Sequence, residues 1–66
     1  MSLNITEKNL ACIYLCDSRE ETAAQLREAL PYIDAPDVRA VAEGALGKLL
    51  AMSDMEFSLI FAGVPI

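Results

Sequence analysis

The stretch that decides the fold is IDAPDVRAVAEGALGKLLAMSDMEF, residues 33–57. It contains the signs of two helix starts and one long apolar stripe. Pro36 sits in a first turn, where its missing N–H is harmless. Asp34 stands before it as the expected N-cap, with Ile33 and Val38 placed as a hydrophobic staple. Val38, Val41, Ala42, Ala45, Leu49 and Met52 then recur at helical spacing and form one continuous face. Ser53 restarts the pattern. Glu56 stands three residues later as a capping box, and Met52 and Phe57 flank it as a staple.

The same signs extend towards the N-terminus. Thr6, between Ile5 and Leu10, is the expected cap of a first helix, and Ser18 with Glu21 forms another capping box. Asp17 and Ser18 separate the first two helices, and Pro31 ends the second. Gly63 and Pro65 stop the fourth. These signals predict helices near 7–16, 19–30, 35–52 and 54–61. The expected fold is all-α, a compact bundle of three main helices plus a short C-terminal fourth helix, in one domain covering 1–66. The second helix turns Thr22, Ala23, Leu26, Ala29 and Leu30 to one side, with Arg19 along the edge of that face.

Composition narrows the function. The chain has 66 residues, 55% of them hydrophobic. A domain of this size buries only about 60% of its unfolded surface. Some of that apolar material is therefore expected to face a partner. Ten Asp and Glu oppose five Lys and Arg, for a net charge of −5. Direct nucleic-acid binding draws its affinity from cations on phosphates, and an anionic membrane surface needs the same sign, so neither is expected. No basic N-terminal region precedes an apolar stretch, and no apolar run approaches membrane-spanning length, which predicts a cytoplasmic protein.

Nothing in the sequence predicts catalysis. There is no histidine, which removes the commonest general base and metal ligand. Cys12 and Cys16, four apart, are expected on one helical face as buried inert thiols, too few for a structural zinc site. The carboxylates Asp17, Glu20, Glu21, Asp34, Asp37, Asp54 and Glu56 gather at helix starts, where the helix dipole explains them. No cofactor, metal or catalytic residue is expected, and the chain reads as no enzyme.

The candidate interaction residues are Cys12, Leu15 and Cys16 on a first helix that is apolar all round, Arg19, Tyr32, and Gly44 with Gly47. Those two glycines, with Ala40 and Ala51, form a second stripe on the third helix. It reads either as short surface residues or as a face that lets another helix approach closely. Tyr14 is expected at the core with its hydroxyl outward, whereas Tyr32 reads either as packed in the same way or as an interface residue. The tail Ile60 to Ile66 adds further apolar material.

Taken together, several segments resemble the transposon-transfer assisting protein family of bacterial conjugative transposons. They are Thr6 through Leu10 with Ile13 and Tyr14, Asp17-Ser18-Arg19, Arg27 through Tyr32, Lys48-Leu49-Leu50 and Met52 through Phe57. The resemblance implies a compact helical fold and a helper role in element transfer, with no catalytic activity or cofactor and no functional residue to carry over. The leading expectation is an accessory factor that binds an unidentified protein partner or associates with itself. One alternative is an acidic decoy that occupies the basic groove of a DNA-binding protein. Another is a small-ligand site near Tyr14, Arg19, Arg27 and Tyr32, which is weakened because the two arginines fall on different sides of their helix.

Overall fold

The computed structural model describes residues 3–62. Four α-helices follow one another: α1 Ile5–Ile13, α2 Arg19–Ala29, α3 Pro36–Ala51 and α4 Asp54–Ile60. A 3-10 turn, Leu30–Tyr32, continues from α2 around Pro31, and the described residues contain no strand. The expected all-α arrangement, three main helices and a short fourth, is the one observed.

α3 is the central element, and α1 and α2 both pack on it. The core joins Ala11 of α1, Ala23 and Leu26 of α2, and Ala42, Ala45 and Leu49 of α3. Met52, Phe57 and Phe61 close it from the C-terminal side. Four of these nine residues are alanine. Small side chains let helix axes approach closely, so that the larger Leu26 and Leu49 fill the remaining space. Phe57 and Phe61, one turn apart, pack their rings with centroids 4.9 Å from each other.

Ser18 and Ser53 are the N-caps of α2 and α4, the serine half of each expected capping box. Ser18 accepts a hydrogen bond from the Glu21 N–H, and Ser53 accepts one from the Glu56 N–H. Met52 and Phe57 flank the second cap, and both are buried. The other two caps differ from expectation. The N-cap of α1 is Asn4 and not Thr6. Asn4 accepts from the Glu7 N–H at 2.8 Å, and Glu7 returns the bond by accepting from the Asn4 N–H at 3.0 Å. This box begins two residues before Thr6, so Ile5 lies inside the helix and points to solvent. The N-cap of α3 is Ala35 and not Asp34, and no side chain caps it. The residue before a proline is barred from helical geometry, so Ala35 is extended and Pro36 must be the first helical residue. Asp34 is then one residue too early. Arg39 instead folds back to donate two hydrogen bonds to the Ile33 carbonyl. Val38 correspondingly stands exposed, off the core stripe.

α1 also ends earlier than expected, at Ile13. The Tyr14 and Leu15 N–H groups bond to Ala11 and Cys12, a tightened last turn. The Cys16 N–H then donates to Thr22 Oγ1 in α2, which fixes the chain out of the helix. Thr22 in turn donates to the Ser18 carbonyl, so its fully buried hydroxyl both donates and accepts. Cys16 therefore does not share a helical face with Cys12. The predicted stop at Gly63 and Pro65 lies outside the described residues.

Candidate functional site

Two polar assemblies join the helices. In the first, Lys48 of α3 donates to Glu7 Oε1 at 2.7 Å, linking α3 to the start of α1. Glu7 is buried, and the Lys48 ammonium beside it, together with the Asn4 N–H, holds its carboxyl below the ordinary value of 4.5 against the opposing effect of burial. Gly44 makes room for this carboxylate, because a Cβ there would stand 2.9 Å from Glu7 Oε2. No such constraint exists at Gly47, where a Cβ would meet nothing within 4 Å. The small-residue stripe therefore divides: Gly44 serves a contact between this chain's own helices, whereas Gly47, Ala40 and Ala51 lie on the open surface.

In the second assembly, Arg19 bridges the start of α2, the end of α3 and the start of α4. Its Nε donates to Asp54 Oδ1 at 2.8 Å, and its Nη1 donates to the carbonyls of Leu49 at 2.9 Å and Leu50 at 3.5 Å. An α-helix leaves its last carbonyls without partners, and Arg19 supplies them. Beside it opens a groove of about 370 Å³, lined by Asp17, Glu20, Asp54, Phe57 and Ser58. Three carboxylates and one guanidinium line it, an excess of two negative charges, and the guanidinium is paired with Asp54.

The other sequence-predicted residues are dispersed. Cys12 and Leu15 are half-buried and pack on the core, and Cys16 is half-buried with its Sγ 3.5 Å from the Tyr14 carbonyl. Both cysteines are free thiols. Tyr14 packs against the core as expected, and Tyr32, at 84% exposure on the 3-10 turn, stands at the surface. Of Tyr14, Arg19, Arg27 and Tyr32, only Arg19 lines this groove. Among the described residues no group of His, Cys, Asp and Glu could hold a metal ion, and no helix is long and apolar enough to cross a membrane.

Apart from Tyr32, the exposed apolar side chains are not the ones singled out from the sequence. Ile5, Ile13, Leu50, Met55 and Leu59 stand open to solvent. The signal for the last two was present in the sequence. Met55 and Leu59 are four apart, and Phe57 and Phe61 are four apart, so α4 carries two apolar stripes and can bury only one.

These features define a small helical module whose interior polar groups are committed to joining its own helices. The family model described as "Putative transposon-transfer assisting protein" matches residues 3–62, and the chain belongs to that family. No curated protein and no solved structure gives a match.

Proposed function

We propose that the chain is a non-catalytic accessory factor that assists conjugative-transposon transfer by docking onto a protein of the transfer apparatus. The observation that carries this reading is the apolar surface. Ile5, Tyr32, Met55 and Leu59 are each more than 70% exposed in a domain of 66 residues. Met55 and Leu59 share one face of α4, and adjacent exposed apolar side chains of that kind mark interaction sites in small proteins. The polar chemistry supports the same reading. Glu7, Thr22 and Arg19 each spend their hydrogen-bonding groups within the fold, as do Arg39 and Lys48. Three of the five cations are thereby engaged internally, which leaves little for phosphate backbones. On this reading the protein works in the cytoplasm with neither nucleic acid nor lipid as its direct ligand.

The net charge of −5 favours a second reading, the acidic decoy of a DNA-binding protein. Ionic strength separates the two. Tagged protein purified from cells carrying the element should retain the same partner in low salt and in about 1 M salt, where charge attraction is screened beyond about 3 Å. A partner that washes off completely at high salt favours the decoy and contradicts apolar docking.

A further inference from the structure

We infer that the outward face of α4, together with the acidic groove beside it, docks a basic amphipathic segment of the partner protein. This rests on the docking reading above and names the site and the chemistry of what binds there. The geometry of α4 places the two features side by side. At 3.6 residues per turn, Met55 and Leu59 stand about 40° apart around the helix, and Ser58 lies about 60° from Met55 on the groove side. Phe57 and Phe61 are turned inward and anchor the helix. Going round α4 from the core, the order is therefore buried aromatic, groove wall, exposed apolar pair. Met55 and Leu59 are 75% and 73% exposed. They border a groove whose Asp17, Glu20 and Asp54 outnumber Arg19, itself already turned towards Asp54 and two carbonyls.

Charge decides among the occupants. A second copy of this chain would bring another net −5 to the interface, and a two-fold contact would set the Asp54 rim against itself. An anionic lipid surface or a nucleic acid would meet the same repulsion. A partner helix with leucine-like anchors at i and i+4 and lysines or arginines alongside satisfies both halves of the surface: anchors on Met55 and Leu59, cations in the groove.

A Leu/Lys amphipathic peptide of about 18 residues is the probe, titrated into the full chain with amide shifts followed by NMR; a Leu/Glu peptide of the same pattern is the control. Perturbations should concentrate at residues 17–20 and 54–59. Met55→Ala with Leu59→Ala should weaken binding at least tenfold. Asp17→Asn with Glu20→Gln should weaken it several-fold and flatten its salt dependence. All four positions are at the surface and outside the Arg19 bridge, so melting temperatures should hold and confirm the fold. Perturbations centred on Ile5 and Ile13 or on Tyr32, equal binding of the Leu/Glu peptide, or affinity untouched by Met55→Ala with Leu59→Ala would each overturn the inference. Any of these leaves a docking protein with a different site or partner. The docking reading itself fails separately, when transfer of the element is indifferent to the chain.

Discussion

Glycine 44 and glycine 47 are three residues apart on one helix, yet substitution should affect them differently. Alanine at Gly47 enters open space and should stabilise the protein by about 1 kcal/mol, the usual helix-propensity gain. Alanine at Gly44 gains the same propensity but must displace a Glu7 carboxylate whose other oxygen is held by Lys48 and by the Asn4 N–H. Chemical denaturation should therefore find Gly44→Ala less stable than Gly47→Ala by about 1 kcal/mol or more. The Glu7 pair also sets a pH dependence. The folded protein holds this carboxyl below 4.5, so the unfolded chain binds the proton first as pH falls. The stability it contributes is present above 4.5 and disappears as pH drops through the lower folded value. Lys48→Met removes the main cause of the lowering and leaves a buried carboxylate. Glu7's share of the acid-induced loss should then shrink, so the variant's stability curve should be flatter on the acid side, while stability near pH 7 should fall by about 1–3 kcal/mol. Thermal melts from about pH 7 to about pH 3 measure both effects. The sequence gives no sign of this pair, because its members are 41 residues apart and each has an ordinary role on its own helix.

Among the elements, helix starts carry the clearest sequence signals and also the clearest departures. Ser18 and Ser53 were legible because a Glu follows each at the capping-box spacing. Asn4 and Glu7 have the same spacing, but the apolar pair Ile5 and Leu10 directs attention to Thr6. At α3 the restriction that Pro36 places on Ala35 outweighs the capping preference of Asp34. Asn4→Ala should accordingly lower stability by about 1 kcal/mol, whereas Thr6→Ala and Asp34→Ala should stay within about 0.5 kcal/mol, as read by urea midpoints. The early end of α1 has a tertiary cause, the bond from the Cys16 N–H to Thr22. Thr22→Val keeps the shape but removes an acceptor and a donor together. It should cost about 1–3 kcal/mol and speed hydrogen exchange at the Cys16 amide.

In the whole molecule, the apolar period of α3 and the order of caps and breakers were enough to read the all-α bundle. The candidate surface was less legible. Leu10 to Cys16 is apolar all round and looks like the exposed face, but α1 stops at Ile13 and the chain folds Cys12 and Leu15 onto the core. The hydrophobic surplus emerges at Ile5 and Ile13, at Tyr32 and at α4, where a helix of seven residues turns Phe57 to the core and leaves Met55 and Leu59 exposed. Burial depends on which elements meet, and that is set by contacts distant in sequence. The central claim, that this chain assists transfer by docking through that surface, has a direct measurement: the conjugation frequency of an element deleted for the gene, complemented in trans. Deletion should lower transfer, the wild-type chain should restore it, and a folded Met55→Ala, Leu59→Ala chain should not. Transfer that is unchanged by the deletion, or fully restored by the double variant, would contradict that claim.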